Sequence, residues 1–240
     1  MATQRTRGIA ARMDDSADVS KAERVYLELR RRIRELELPP GAPLRREELA
    51  DELGVSRAPV SEAIARLGSE ALIDIFPQHG SFVAPIRAAD VRESLFIRTA
   101  LELEAVRVAT LNADESLFSA LNKNLETQAR ALRKADYQQF YDLDEALHAT
   151  IFSRFGSPRL TRLLNAARAP HDRPRRLALP ESTRAPDTLA EHRRVVDAIR
   201  TGDPEFAVGA MRIHLEMVGR AVEQYLALLE TREASHPASR

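Results

Sequence analysis

The first third of the chain carries apolar positions at a helical period and then at a strand-like one. Val25, Leu29, Ile33 and Leu36 mark one face of an amphipathic helix that stops at Pro39-Pro40-Gly41. Leu49, Ala50 and Leu53 share one side of a short second helix. Gly54 can take the left-handed conformation of a C-terminal cap, and Ser56 stands where a hydroxyl caps the next helix. Pro59 falls in that helix's first turn, where its missing N–H is not needed. Val60, Ile64 and Leu67 then repeat at i, i+4 and i+7 as a buried stripe, while Arg57, Ser61, Glu62 and Arg66 occupy the opposite side. Two β-prone runs follow, Ile73 to Phe76 and Phe82 to Ala84, joined by Pro77, Gln78, His79, Gly80 and Ser81, and they predict a β-hairpin.

Three helices with a tight turn between the second and third, then a hairpin, make a winged helix-turn-helix. For the turn alone, an ordinary helical hairpin with a solvated charged face is the alternative. From Ala88 onward the pattern is helical almost without interruption. Asp90 is read as the cap of a helix containing Val91, Leu95, Ile97, Leu101 and Val108, and Asp114 as the opening of a second with Leu117, Leu121, Leu125 and Leu132. A third is expected over about 136–155, a fourth over about 158–168, a fifth over about 188–200 and a sixth over about 204–229. The Pro- and Arg-rich stretch from Pro170 to Pro186 reads as a long connection. At Gly202-Asp203-Pro204 the chain breaks tightly, with Asp203 as cap and Pro204 at the first helical position. No sequence repeat is apparent, which favours a compact bundle over a solenoid.

The expected fold is therefore mainly α: a winged helix-turn-helix of three helices and a β-hairpin, then an all-helical antiparallel bundle of six or seven helices. The boundaries predicted are a disordered tail over 1–18, the winged unit over 19–86, the helical unit over 87–231 and a second tail over 232–240. At 240 residues the chain has room for two cores. It has no cysteine, which removes disulfides and thiolate metal sites. No apolar run approaches a membrane span and no signal-peptide core opens the chain, so a cytoplasmic protein is expected.

Charge changes the picture little. Lys plus Arg and Asp plus Glu each number 36, and residues 21 to 87 hold eleven of each sign. Phosphate attraction would have to come from local clusters: Arg30, Arg31, Arg32 and Arg34, and the N-terminal Arg5, Arg7 and Arg12. Simple solvation is the alternative for both clusters.

Candidate chemistry lies in the histidines of the helical unit. Asp144 and His148 are four residues apart on the third of its helices and point the same way. His192 follows Glu191 on the fifth, and His214 lies in the sixth between Ile213 and Leu215. Three imidazoles and a carboxylate from three helices could converge on a divalent ion, with nitrogen and oxygen donors suiting zinc, nickel or manganese. The same spacing also suits histidines that are ordinary hydrogen-bonded partners.

Pro40-Gly41, Leu44, Leu49-Ala50, Leu53-Gly54-Val55-Ser56-Arg57, Val60, Glu62-Ala63, Leu67, His79-Gly80 and Phe82-Val83 together resemble the winged-helix domain of GntR-type bacterial transcription factors. That resemblance implies that Arg57 reads guanine in the major groove and that the wing tip, His79 with Gly80, enters the minor groove. Arg45 and Arg46 are further candidates for DNA contact. Where the pattern V-R-E-A is usual, this chain has Val60-Ser61-Glu62-Ala63, and serine cannot make the bidentate guanine contact.

The second unit resembles the FCD ligand-binding domain of the FadR subfamily. The residues that carry this are Arg98 with Leu101-Glu102, Asp144 with His148, Glu191-His192 with Ala198-Ile199 and Gly202-Asp203, and Ala210-Met211 with His214-Leu215. The resemblance implies a divalent metal, zinc foremost, on Asp144, His148, His192 and His214. It also implies a small organic acid completing the coordination, and Arg98 facing the same pocket. For Arg98 the alternative is an intrahelical pair with Glu102. Gly156-Ser157-Pro158 departs from the glycine-asparagine turn common after the third helix. His171 and His236 match nothing in the pattern and are expected to be solvated. The function expected is that of a homodimeric DNA-binding regulator, a repressor on a near-palindromic operator, controlled by a carboxylate effector. A metal-dependent enzyme and a sensor of the metal itself are the alternatives that the same His and Asp set allows.

Overall fold

In the computed structural model, residues 20–178 and 184–235 are described, and the chain divides between Asp90 and Val91 into two compact units. The predicted tail over 1–18 with Arg5, Arg7 and Arg12, and residues 236–240 with His236, lie outside the described residues, while 232–235, expected as tail, continue the last helix.

The first unit follows the apolar pattern closely. Helix α1 spans Lys21–Arg34, α2 Arg46–Leu53 and α3 Arg57–Ser69. Ser20 caps α1 by accepting from the Glu23 N–H at 3.1 Å. Val25, Leu29, Ile33, Leu49, Leu53, Val60, Ile64 and Leu67 are all buried and form its core. Gly54 ends α2 in the left-handed region, with φ 64°, a conformation that costs any residue with a Cβ. Ser56 is the N-cap residue of α3, but its hydroxyl makes no capping hydrogen bond, so its backbone alone sets the turn.

Strand β1, Ile73–Phe76, pairs antiparallel with β2, Gly80–Val83, in the register Ile73 to Val83 and Phe76 to Gly80. The second strand thus starts two residues before the apolar run, and Pro77, Gln78 and His79 make the tip. Leu44 N–H donates to the Ser81 carbonyl at 2.8 Å, and Val83 N–H to the Ala42 carbonyl at 2.9 Å, tying the wing to the loop before α2.

From Ala88 on, the described residues form six α-helices, α4 Ala88–Leu111, whose first three residues precede the division, α5 Glu115–Arg133, α6 Tyr137–Phe152, α7 Pro158–Ala178, α8 Ala185–Arg200 and α9 Pro204–Ser235, with one 3-10 turn at Ser153–Phe155. Helix α5 packs on α6 and α8, and α9 on α7 and α8. Leu117, Leu121, Leu147, Ile151, Val195, Ile199 and Met211 are among the side chains that make the core. Asp114 and Asp203 cap α5 and α9 as their positions predict, accepting from Leu117 N–H at 2.8 Å and Glu205 N–H at 2.9 Å. No described helix is long and apolar enough to cross a membrane.

Two expectations are corrected here. Asp90 does not cap α4, because the helix already starts at Ala88 and Asp90 sits in its first turn. The face of α4 that is most deeply buried is partly polar: it carries Ser94, Arg98 and Glu102, while Leu95, Ile97 and Leu101 are half-buried.

The stretch from Pro170 is not a long connection, since α7 runs through both Pro170 and Pro174 to Ala178. Each proline removes one helical hydrogen bond, and tertiary contacts offset that loss. Arg168, Ala169, His171, Asp172 and Arg173 are all buried, and Ser94 Oγ donates to the Ala167 carbonyl in the proline-containing turn.

Candidate functional site

In the second unit, Asp144, His148, His192 and His214 are each at most 2% exposed, and one ligand atom from each lies within 4.8 Å of the others. Helix α6 supplies Asp144 and His148 from successive turns, α8 supplies His192 and α9 supplies His214. The four residues that the sequence singles out are therefore brought together.

Each imidazole is oriented by an acceptor on its far side. His148 Nδ1 lies 2.5 Å from Glu102 Oε2, His214 Nδ1 2.9 Å from Glu191 Oε2, and His192 Nδ1 2.9 Å from Gln128 Oε1. For His192 and His214 the oxygen hydrogen-bonded to Nδ1 assigns the proton there and leaves the Nε2 lone pair facing the shared centre, whereas His148 Nδ1 and Glu102 Oε2 are close without forming a well-aligned hydrogen bond. Gln128 is itself held, donating to Asn124 Oδ1 at 2.6 Å, and Asn124 donates to the Leu143 carbonyl at 2.9 Å. Arg184 steadies Glu191 with a contact of 2.7 Å.

The inner atoms crowd lone pair against lone pair. His148 Nε2 and His214 Nε2 are 3.2 Å apart, and His192 Nε2, buried and without a hydrogen-bond partner, is 3.2 Å from Asp144 Oδ1. Ligands about 2.1 Å from one ion stand about 3 to 3.5 Å from each other, so this spacing fits a divalent cation with three nitrogen donors and one oxygen. Burial, only partly opposed by Glu102, lowers His148 to about 3 and keeps its ring neutral, as a metal ligand must be. Burial would raise Glu102, but Arg98, His148 and Arg168 outweigh it and hold the carboxyl well below its ordinary range.

Arg98 is buried between the Glu102 carboxylate and the histidine centre. Its Nε donates to Glu102 Oε1 at 2.7 Å, the expected intrahelical pair, while Nη2 lies 3.3 Å from His148 Nε2 at the centre. Its Nη1 lies 2.8 Å from His171 Nε2. His171 is thus fully buried rather than solvated, because the continued α7 carries it inward. Sequence reasoning missed Gln128, Glu191 and His171 as parts of the site. Glu191 was named only as the neighbour of His192, and the sole available signal for Gln128 was its place on the buried side of α5.

In the first unit, Arg57 opens α3 and is exposed, with Nη1 3.0 Å from Glu47 Oε1 on α2. Ser61, His79 and Gly80 are exposed as well. Arg45 projects from the N-cap of α2 and pairs with Glu48 at 2.8 Å. Arg46 is half-buried, and its Nη2 donates to Ser81 Oγ at 3.2 Å, so it braces the hairpin.

The α1 arginines are neither a free basic patch nor simply solvated. Arg31 pairs with Glu28, Glu35 and Glu37, Arg32 with Glu28 and Glu52, Arg34 with Glu35, and Arg30 with Glu70.

Residues 21–83 match the family described as bacterial regulatory proteins, gntR family, and residues 93–217 match the FCD domain. The chain is 37% identical over 220 residues to an HTH-type transcriptional regulator in an unstable DNA locus of Streptomyces ambofaciens, covering 90% of this chain and 92% of that one. It is 31% identical over 202 residues to the HTH-type transcriptional repressor RspR of Escherichia coli, covering 84% of this chain and 89% of the relative. The solved structure of McbR/YncC of Escherichia coli shares the fold, with a TM-score of 0.77 at 23% identity over 86% of this chain and 99% of that one. A helix-turn-helix with its first recognition-helix arginine exposed, joined to a helical unit with a buried histidine centre, is thus found in the setting these matches define: the chain belongs to the GntR family, with an FCD domain, and is a DNA-binding transcriptional regulator rather than an enzyme.

Proposed function

We propose that this regulator is a repressor whose hold on its operator is set by a small organic acid bound at a metal-containing centre in the FCD domain. The observation that carries this reading is the convergence of Asp144, His148, His192 and His214 with all three Nδ1 atoms turned toward oxygen acceptors. That arrangement aims three Nε2 lone pairs inward beside a carboxylate. It has no purpose in a purely apolar core, where such groups cost stability. Zinc is the ion we propose, with nickel and manganese accommodated by the same donors.

A divalent ion there supplies an electrophilic position for a carboxylate oxygen. The chain supplies the rest: Glu102, Gln128 and Glu191 orient the rings, the surrounding helices exclude water, and Arg98 offers guanidinium N–H groups to the acid. Occupancy changes the packing among α4, α6, α8 and α9, and it shifts operator affinity only so far as the acid binds the two arrangements differently.

On the DNA side, Arg57 reads guanine, and His79 with Gly80 enters the minor groove. Arg45 contacts the backbone, with Arg46 as its less exposed neighbour. Two copies in a homodimer would meet successive major grooves about 34 Å apart on a near-palindromic operator in the cytoplasm.

Variants His148→Ala and His214→Ala test the centre. Elemental analysis should find metal content well below one ion per chain, and the change of operator affinity caused by carboxylates should be lost, while the ligand-free protein still shifts operator DNA. Full metal stoichiometry in both variants would show the assignment of the centre to be wrong.

A further inference from the structure

Helices α5 and α8 pack together, and on their exposed side they frame a groove of about 520 Å³. Three guanidiniums line it, Arg130 and Arg133 from α5 and Arg193 from α8, and all three residues are exposed. Half-buried Leu125 and Ala129 give the groove an apolar floor, and Asn122 and Glu126 complete it.

These arginines depart from the rule the rest of the chain follows. Arg31, Arg32, Arg92, Arg107, Arg154 and Arg184 each lie against a carboxylate. Arg133 and Arg193 pair with no described residue, and Arg130 donates only to Thr127 Oγ1, at 2.7 Å. Arg130 and Arg133 are three residues apart on one helix, neighbours of like charge that cost the fold a little stability. Lys plus Arg and Asp plus Glu balance at 36 each over the chain, so the cluster is a local excess and not a sample of a general one.

We propose that this groove binds a phosphate monoester carried on a small hydroxylated carbon skeleton, such as a sugar phosphate. Charge selects the phosphate: three guanidiniums less the Glu126 carboxylate leave two positive charges, and a monoester carries about −1.5 to −2 near pH 7. Each guanidinium is a planar fork that can engage two phosphate oxygens at once. Volume selects the body, since about 520 Å³ is far more than a lone phosphate fills and lies within the usual range of small-molecule sites, about 300 to 1,000 Å³. Leu125 and Ala129 take the C–H face of the skeleton, and Glu126 accepts from its hydroxyls. Asn122 Oδ1 accepts from Arg200 Nη2 at 3.2 Å, which leaves the Asn122 amide N–H groups to donate.

The ligand bridges the two helices whose buried sides are joined by His192 Nδ1 and Gln128 Oε1 at 2.9 Å. Arg193 is the residue next to His192, and Leu125 and Ala129 flank Gln128 along α5. Binding in the groove thus bears on that helix pair from its exposed side. It is a second small-molecule input, and it needs neither metal nor carboxylate at the histidine centre.

The test is isothermal titration calorimetry of the full chain at low ionic strength, where such contacts are least screened. The probes are glucose 6-phosphate, ribose 5-phosphate, glycerol 3-phosphate and inorganic phosphate. At least one ester should bind at one site per chain, more tightly than inorganic phosphate by about tenfold, the worth of burying about two CH₂ groups. Arg133→Gln and Arg193→Gln each remove a charged contact from an exposed position. Each should weaken that ester by about tenfold or more with circular dichroism unchanged. Arg57→Gln, in the other unit, should bind it as wild type does, and hydrogen exchange in the wild-type complex should slow over α5 and α8. If no ester binds more tightly than inorganic phosphate, the organic ligand is overturned. Wild-type affinity in both groove variants, or a loss in Arg57→Gln alone, puts the anion elsewhere and overturns the site.

Discussion

At the scale of single residues, the outer partners of the histidines matter as much as the ligands. Gln128 is fully buried, and its carbonyl is the acceptor that keeps the His192 proton on Nδ1. Gln128→Leu preserves volume and removes that acceptor. Metal affinity should fall by about 10- to 100-fold, with circular dichroism unchanged; chelator competition checks this, and unaltered affinity would mean that the ring is oriented by packing alone. Ser61 is the corresponding residue in the first unit. It is exposed on α3 one turn after Arg57. Ser61→Arg should change operator preference by about 1 to 3 kcal/mol at one base pair, the worth of a bidentate guanine contact, and leave metal content as it was. Selection from randomised operators followed by elemental analysis reads both halves of that expectation.

At the scale of elements, α1 and α3 are joined by a buried polar contact that apolar patterning does not predict. Tyr26 on α1 donates its hydroxyl proton to Glu70, just past α3, at 2.8 Å, and the Arg66 guanidinium lies 3.5 Å over the tyrosine ring. Burial pushes the phenol up to about 12, with Arg30 opposing and Glu70 adding to the rise. In the unfolded chain the phenol titrates near 10, so between about pH 10 and about 12 the unfolded state loses this proton first. The contribution of Tyr26 is therefore complete below that window and declines as pH rises through it. Urea unfolding followed by circular dichroism should show a midpoint that drops above about pH 10 in wild type and drops less in Tyr26→Phe. Equal slopes in the two proteins would assign the alkaline loss to other groups. Helix α7 teaches the same lesson in another form: two prolines argue against a helix locally, and buried Arg168, His171 and Arg173 outweigh them.

At the scale of the whole molecule, all four candidate ligands and their orienting partners belong to the second unit, while the recognition helix and wing belong to the first. Zinc should therefore stabilise the two units unequally. At a free concentration a thousand times Kd the gain is about 4 kcal/mol, and hydrogen exchange should slow in α6, α8 and α9 and not over residues 21–83. An equal gain in protection over both would show that the ion acts on the chain as a whole.

By itself the sequence determined most of the winged unit, because its signals are local: Gly54 can turn left-handed, Val60, Ile64 and Leu67 share a face, and two short β-prone runs flank a turn-forming stretch. It also determined the four ligand candidates, through a four-residue spacing and a resemblance. Only the tertiary structure decided that their side chains meet within 4.8 Å, that Gln128 and Glu191 face them, and that His171 is buried against Arg98. It also showed the α1 arginines to be taken up in ion pairs. The physical reason is the same in each case: helix period and caps are set by neighbours a few residues away. A buried polar contact is set by partners such as Gln128 and His192, 64 positions apart, whose meeting depends on how the helices pack.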